Sequence, residues 1–566
     1  MNPPAPCRAT ELEALLGDPH DPANPTGFAA VLEADERGEM LAAGEQVLHA
    51  FGLGAEFVPP EHGGRLGRLD HLVEVMRAVY RRDPSLGLGY GASSLIAAVT
   101  IWTSGDPRQQ ALAASLLRSG RRIAVAFHEL AHGNDMAGTE FTAEAGDSGW
   151  LLSGRKEVVT NIRRADALVV LARTDPRPGP RSHTLMLVDR ATVPPDGFRD
   201  LPRFATAGLR GVQLGGLEFA HVPVPESAAL GPVGSGLGSA LKALQITRTT
   251  LPAMASAALD TALRTAVDHL SSRTLYGGRA IDLPHVRSQL TGVFADLLRA
   301  EAFAAVGMRA LHLYPRSASV YSAAVKYGVA GMLLEATDRL ADLMGAHFYV
   351  RTGPRAMFQK VLRDLAPVGF GHIARAACLM SLLPQLPLLA RRSWRGGAPA
   401  SGDLFHLDGG LPPLSYDSLT VHAGGRDPVA ASSASLADRA WDPDHQDLRA
   451  LARADLADLT ELSGRCASLS APELGIDAPA AIYDLADRYA SLLARFSWFQ
   501  VWRHADDPFL ADPAWLRAAL HRSASAAPLP ESVETVLFRE LLDRHRDHRC
   551  FGLTARPLPV RQESAR

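Results

Sequence analysis

The stretch VAFHELAHGNDMAGTEFTAEAGDSGWLLSGRKEVVTN, residues 125–161, decides the fold of this chain. It contains His-Glu-Leu-Ala-His, which fits the HExxH pattern of zinc hydrolases. On a helix, His128 and His132 would share one face and hold a metal ion, with Glu129 as the general base. The first question is therefore whether this segment is a helix.

The residues around the pattern argue against a zinc site. Gly133, Asn134 and Asp135 follow at once, and such residues end helices. The preceding RRIAVAFHE is typical of a buried strand, in which residues four apart lie about 13 Å from each other. No third ligand follows at a familiar spacing. The pattern thus predicts a strand and a turn, with no metal.

The bulk composition is that of a soluble globular protein. Of the 566 residues, 47% are hydrophobic and 21% charged, and the net charge is −3, so nucleic acid is not an expected partner. The four cysteines lie far apart in sequence, which favours reduced thiols. We find no basic leader with an apolar run and no uninterrupted run of 18 apolar residues. We therefore expect a cytoplasmic protein without a membrane span.

The residue pattern of the sequence changes three times along the chain. Residues 1–122 have helical spacing, and residues 123–237 contain short Val- and Leu-rich runs separated by turn residues. Residues 238–393 are helical again, with Leu259, Leu263, Val267 and Leu270 on one stripe. Residues 394–566 read as a linker followed by a helical extension. The prediction is a mainly α protein with a central antiparallel β domain.

The order of motifs resembles the acyl-CoA dehydrogenase family over residues 50–393, about 60% of the chain. The resemblance rests on the opening stretch, which matches that family's CxTEPxAGSDxxGxxTxAxxxGDxYxLNGxKxWITN, and on GLGAEFVPPEHGG, GLRGVQLGGLEFAHVPVP, SSRTLYGGRAI and VLRDL. It implies an N-terminal helical domain, a middle β-barrel and a C-terminal four-helix bundle, here with a helical extension. It also implies FAD as cofactor.

The resemblance assigns flavin contacts within the opening stretch. The backbone groups of Phe127 and His128 would meet the isoalloxazine ring. Asn134 replaces a serine that contacts the pyrophosphate, and an amide can also donate. Thr160 would reach the flavin near N5. Val158 stands where the family usually has tryptophan, so the aromatic ring that would stack at the flavin site is missing there.

Further cofactor contacts are implied later in the chain. Arg273 matches an arginine that holds the pyrophosphate of a partner subunit, and Tyr276 follows it at the family's aromatic position. Asp342 and Gly345 stand where QxxGG usually contacts the partner's FAD, although an aspartate adds negative charge there. Cofactor sharing of this kind implies a homodimer or a homotetramer.

The usual catalytic glutamate is absent. Counting from VLRDL puts His372 at its position, and no Asp or Glu occurs between Asp364 and Asp403. The family's alternative position falls on Thr247, which precedes Arg248 and is not acidic either. Three accounts stay open: His372 is the base, with Arg248 orienting the loop or the substrate; the flavin serves another reaction, such as oxygen activation; or the fold only binds.

The first expectation is thus an FAD-dependent oxidoreductase that removes hydrogen from an acyl thioester carried on CoA or on an acyl carrier protein. It would pass electrons to an electron-transfer partner or to O2. The alternatives are a flavin-dependent monooxygenase on the same fold and a flavin-bearing binding protein without catalysis.

Overall fold

The computed structural model describes residues 7–438, 441–525 and 527–559. Its internal contacts divide the chain into two compact units. The first unit runs to Thr247 and the second comprises Arg248–Leu558, so the division falls inside one long helix. This division differs from the four predicted segments, because the N-terminal helices and the sheet share one unit, as do the bundle and the extension.

The first unit begins with helices, as the spacing of apolar residues predicts. Asp106 caps the last of them through a capping box with Gln109, and Pro107 starts that helix. Gly38 and Gly52 end two earlier helices in the left-handed conformation. The helices are α1 Arg8–Leu16, α2 Phe28–Arg37, α3 Ala42–Phe51, α4 Leu69–Arg82, α5 Pro84–Leu86, α6 Ser93–Ser104 and α7 Pro107–Arg118.

The helical stretch Pro84–Ser104 is long and apolar enough, by length and composition only, to cross a membrane. Within the protein 83% of its apolar window is buried, and the core helix of a soluble protein passes the same test. This single stretch is therefore explained by its place in the core of the first unit.

An eight-stranded sheet forms the rest of the first unit, with the order β6-β7-β3-β2-β4-β5-β8 and β1 paired to β4. Its strands are β1 Ile123–Ala126, β2 Thr142–Gly146, β3 Gly149–Thr160, β4 Ala167–Arg173, β5 His183–Asp189, β6 Phe198–Leu201, β7 Leu214–Pro225 and β8 Ala229–Leu230. One face buries an apolar core that includes Ala126, Phe141 and Val159.

Two features of the sheet differ from the predicted antiparallel barrel. The described strands follow an order with β6 and β8 at its ends, and two of the pairings are parallel, β1 with β4 and β2 with β4. The reason is that β1 and β2 follow one another along the same edge of β4. The peptide 127–141 therefore leaves the sheet after β1 and rejoins it at β2.

The second unit is helical, with one short hairpin. The predicted stripe of Leu259, Leu263, Val267 and Leu270 is fully buried in α8, which confirms the amphipathic reading. The elements are α8 Gly236–Ser272, β9 Thr274–Leu275, β10 Gly278–Arg279, α9 Pro284–Leu313, α10 Ala318–Met344, α11 Ala356–Leu365, α12 Arg375–Leu382, α13 Leu386–Arg392, α14 Pro428–Ser432, α15 Ala434–Asp438, α16 Gln446–Ala467, α17 Ala480–Arg503, α18 Pro508–Ala511, α19 Pro513–Ala524 and α20 Glu531–Arg546.

The C-terminal extension is tied to the bundle by buried carboxylates. Asp296 of α9 accepts from Arg339 of α10 at 2.6 Å and from Arg522 of α19 at 3.1 Å. Asp427 is fully buried and accepts hydrogen bonds from the hydroxyl of Tyr489 at 2.6 Å and from that of Tyr321 at 3.1 Å. A buried charge is costly unless it is paired. Since these contacts join the bundle to the extension, the extension forms part of the second unit's core.

Candidate active site

The segment with the HExxH pattern is not helical. β1 ends at Ala126, and the following residues form coil and turns. The Nδ1 atom of His128 lies 2.9 Å from the carbonyl oxygen of Gly133, and His132 contacts Glu140 at 3.3 Å. Burial lowers the pKa of His128. Among the residues that the structure describes, no group of three or more His, Cys, Asp or Glu side chains could hold a metal ion.

Glu129 belongs to a buried ion pair. The ammonium of Lys156 on β3 donates to the Glu129 carboxylate at 2.7 Å and to the carbonyl oxygen of Phe127 at 3.2 Å. The carboxylate also accepts from the backbone N–H groups of Glu140, at 2.9 Å, and Phe141, at 3.2 Å. Burial raises the pKa of Glu129, but the charge of Lys156 and these hydrogen bonds outweigh it and leave the pKa lowered. The carboxylate therefore holds the peptide in place and is no general base.

The flavin residues expected from the opening stretch lie at the end of β1 and on β3. A register irregularity between Lys156 and Val159 marks a bulge in β3. Val159 points into the sheet core, while its neighbours Val158 and Thr160 are half-buried. Phe127 is buried, and the contact between Lys156 and its carbonyl oxygen joins the two strands.

Asn134 is placed differently from the other residues of this group. It lies in the turn after β1, it is exposed, and its side chain bonds to no residue in the described part of the chain. Its amide is therefore available to a ligand.

The role of Asn161 is structural. The sequence predicts only that this residue stands in register with the family motif. Its φ of 61° is in the left-handed region, which asparagine tolerates better than most residues. Its buried amide donates to the carbonyl oxygen of Gly89 and to the Ser93 hydroxyl at 2.9 Å. These bonds fix the end of β3, and with it Thr160, against the start of α6. The sequence signal for this role is an asparagine at the end of a predicted strand.

The loop with His372 is anchored by a buried lysine in the second unit. Lys326 of α10 is 2% exposed, and its ammonium donates to the carbonyl oxygens of Val368 at 2.6 Å and Gly371 at 3.2 Å. Burial lowers the pKa of Lys326 to about 8. His372 itself is half-buried, with a φ of 69°. The two hydrogen bonds from Lys326 thus fix the backbone immediately before His372.

Arg248 is buried in the same unit without a partner. It is 4% exposed, and its guanidinium makes no hydrogen bond or ion pair with any residue that the structure describes. Burial raises the pKa of the Cys378 thiol, and the charges of Arg248, Lys326 and Arg375 oppose that rise. The charges of these three cations therefore act on one buried thiol. The sequence did not single out Lys326 or Cys378, because both sit among apolar residues of their helices.

The second group of expected cofactor residues lies at the ends of α8 and α10. Arg273 follows α8 and is half-buried, without a side-chain hydrogen bond among the described residues. Tyr276, in the turn between β9 and β10, is 95% exposed. Gly345 ends α10 with a φ of 55°. Asp342 is exposed, one turn before that end.

A histidine pair links these two helix ends. His269 of α8 is buried, neither ring nitrogen has a hydrogen-bond partner among the described residues, and its ring centroid lies 4.6 Å from that of His347. Burial lowers the pKa of His269 to about 4, helped by the charges of Arg355, His347 and Arg273. Arg273 and the segment after Gly345 therefore share one positively charged region.

Comparison with known proteins identifies the family. The sequence model of the acyl-CoA dehydrogenase middle domain matches residues 124–222, and that of the C-terminal domain matches residues 234–370. The chain belongs to the acyl-CoA dehydrogenase family. The second match ends two residues before His372. The resemblance inferred from the motifs is confirmed.

Individual relatives agree with this assignment. The mitochondrial isovaleryl-CoA dehydrogenase of Oryza sativa subsp. japonica is 28% identical over 255 residues, which is 45% of this chain and 61% of the rice protein. The butyryl-CoA dehydrogenase structure from Megasphaera elsdenii has a TM-score of 0.60 at 21% identity and covers 67% of this chain and 98% of its own. The structure of the prolyl acyl carrier protein oxidase AnaB has a TM-score of 0.59 at 17% identity and covers 66% and 95%. The structural likeness shows the fold.

Proposed function

We propose that this protein is an FAD-dependent oxidoreductase of acyl-CoA dehydrogenase type, which acts on an acyl thioester. The main support is that both family domains match in their usual order along the chain. Two of the relatives are named for CoA thioesters and one for an acyl carrier protein substrate. Either carrier is therefore compatible with the proposal.

The residues at the expected cofactor positions fit a flavin dinucleotide with one exception. Val158 and Thr160 are half-buried on β3, and the Arg273 guanidinium, which has no side-chain partner among the described residues, is suited to a phosphate. Phe127 and His128 would present backbone groups, and the Asn134 amide is exposed. The exception is Asp342, whose negative charge disfavours a polyanion. When bound, FAD would accept a hydride from the β-carbon of the substrate.

His372 is the candidate base for the α-proton. Imidazole has a pKa near 6.5, so it can take up a proton at neutral pH. Asp364, the nearest acid before it, is buried and paired with Lys360, and no acid follows until Asp403. The anchoring of the loop by Lys326 would keep the imidazole in one place during proton transfer. Of the three accounts that the sequence left open, these observations favour the base.

The proposal extends to partners. Tyr276 is exposed three residues after Arg273, which is consistent with a subunit interface at which Arg273 meets a neighbour's cofactor, so we expect at least a homodimer. A flavin reduced by the substrate must pass its electrons on, and an electron-transfer protein or O2 would accept them.

Anaerobic titration of the purified protein with a panel of acyl-CoAs tests the proposal. The expected result is a yellow protein whose flavin absorption bleaches with one or more acyl-CoAs in the absence of oxygen. A yellow protein that no acyl thioester bleaches, but that consumes oxygen with added reduced flavin or NADPH, would instead support the monooxygenase. A colourless protein without flavin would contradict the cofactor assignment.

A further inference from the structure

The loop that carries His372 is held by two consecutive residues of α10. Lys326 donates to two backbone carbonyl oxygens on the side of the loop before His372. Tyr327, the next residue of α10, accepts at its own carbonyl oxygen from Nε of Arg375 at 3.0 Å. Arg375 follows His372 by three residues and is the first residue of α12. The loop is therefore tied to one place on α10 on both sides of the candidate base.

The contact between Arg375 and α10 involves more than one hydrogen bond. The guanidinium lies over the Tyr327 ring, with Cζ 4.7 Å from the ring centroid, which is within the range of a cation–π interaction. Gly331 lies one turn further along α10, and a Cβ atom at that position would be 2.5 Å from Nη2 of Arg375. Glycine in the middle of a helix is unfavourable. Here it leaves the space that the guanidinium occupies.

His372 adopts a backbone conformation that needs support from its surroundings. Its φ of 69° lies in the left-handed region, which is unfavourable for residues other than glycine and persists only where neighbouring structure imposes it. Lys326 fixes the backbone before His372, and Arg375 is the corresponding anchor after it. Without that anchor the loop should relax toward a more favourable φ, and the imidazole would move with it.

We propose that Arg375 is a positioning residue for His372, and that its seat on Tyr327 and Gly331 of α10 sets where the imidazole stands during proton abstraction. This inference rests on the proposed function, in which His372 is the base. A general base must lie within hydrogen-bond reach of the proton that it removes. A displacement of about 1 Å can lower the rate about 10²-fold. Arg375 thus acts through the loop and needs no contact with the substrate.

Anaerobic flavin bleaching at increasing concentrations of the best acyl-CoA of the panel gives a limiting rate and a half-saturating concentration. Arg375→Ala should lower the limiting rate about 10- to 100-fold and change the half-saturating concentration by less than about twofold, because the base moves but the thioester still binds. Arg375→Lys, which keeps the positive charge and a donor, should retain more of the rate than Arg375→Ala. An unchanged limiting rate in Arg375→Ala would overturn the inference.

Arg391→Ala is the matched control for the loss of an arginine. Arg391 also donates through Nε to one backbone carbonyl oxygen, that of Ala467 on α16, at 3.0 Å. Since this contact does not involve the loop with His372, both kinetic constants should equal those of the unmodified protein. A loss of rate in Arg391→Ala as large as that in Arg375→Ala would overturn the inference, because it would make the effect a general one.

Gly331→Ala tests the same seat from the side of α10. The new methyl group would displace the guanidinium, which is the flexible end of a side chain, so the backbone of α10 need not move. Alanine also favours a helix over glycine. We therefore expect the melting temperature to stay unchanged or rise while the limiting rate falls about 10-fold. Such a fall in rate without a fall in stability supports positioning over a merely structural role, and an unchanged rate would overturn the inference.

Gly328→Ala is the matched control on the same helix. The atom nearest to a Cβ atom at Gly328 would be Cε1 of Phe303, at 3.4 Å, which is an ordinary van der Waals contact. This variant should keep the limiting rate. The double variant of Arg375→Ala with Gly331→Ala should be no slower than Arg375→Ala, because the group that the methyl displaces is already gone. A further loss of rate in the double variant would overturn the shared seat.

Hydrogen exchange of residues 366–374, followed by mass spectrometry, separates this inference from the proposed function. Arg375→Ala should speed exchange in this segment of the purified protein, and Arg391→Ala should not. If no thioester bleaches the flavin but exchange rises in Arg375→Ala alone, the anchor stands and the proposed function is wrong. If thioesters bleach the flavin and Arg375→Ala changes neither exchange nor rate, the proposed function stands and the anchor is wrong.

Discussion

Replacing Glu129 by glutamine tests what the glutamate of the HExxH pattern does. The change removes the negative charge that faces Lys156, whose side chain is 0% exposed, and keeps the size of the residue. Breaking a buried pair by removing one partner costs about 3–5 kcal/mol. We therefore expect Glu129→Gln to destabilise the first unit by an amount in this range.

Neutralisation of Lys156 makes the loss depend on pH. Burial already lowers the pKa of Lys156 to about 8 with Glu129 present, and the pKa should fall further without it. The lysine can then become neutral, which costs less free energy as the pH approaches its unfolded pKa near 10.4. The loss should therefore shrink as the pH rises toward 10.

Thermal unfolding followed by calorimetry is the assay. For a unit of this size about 1 kcal/mol corresponds to roughly 2–4 °C, so the transition of the first unit should fall by roughly 6–20 °C. Glu140→Gln is the matched control, since Glu140 is exposed on the same peptide and should change stability by less than about 0.5 kcal/mol. The double variant with Lys156→Met should recover much of the loss. Equal small shifts for both single variants would refute the buried-pair account.

Two further predictions concern the second unit. The pKa of His269 is lowered to about 4, so the unfolded chain binds more protons between pH 6.5 and 4, and stability should fall as the pH drops through that window. His269→Leu should flatten that part of a stability–pH curve. Asp296→Asn should cost about 3–5 kcal/mol in denaturant unfolding, because it leaves Arg299 and Arg522, whose side chains are each 6% exposed, without their acid.

Local patterns in the sequence were sufficient to predict most of the fold. The strand before His128 and the turn after it follow from β-branched residues and from Gly133, and both are present. The stripe from Leu259 to Leu270 predicts the buried face of α8. The parallel pairing of β1 with β4 could not be predicted, because it depends on a long excursion of the chain between β1 and β2.

The polar partners in the site were harder to predict, because they join residues distant in sequence. Glu129 and Lys156 are 27 positions apart, and Lys326 contacts carbonyl oxygens 42 and 45 positions later. A buried lysine in an apolar helix has no periodic signal of its own. His372 was found only because the family motif could be counted forward from VLRDL.

The rate of anaerobic flavin bleaching in His372 variants tests the central claim most directly. With the best acyl-CoA of the panel, His372→Ala should slow bleaching by about 10²- to 10⁴-fold, the usual contribution of a general base. His372→Glu should keep measurable bleaching, and Phe370→Ala, which changes a 63% exposed residue of the same loop, should keep the rate of the unmodified protein. An unchanged rate in His372→Ala would contradict the account.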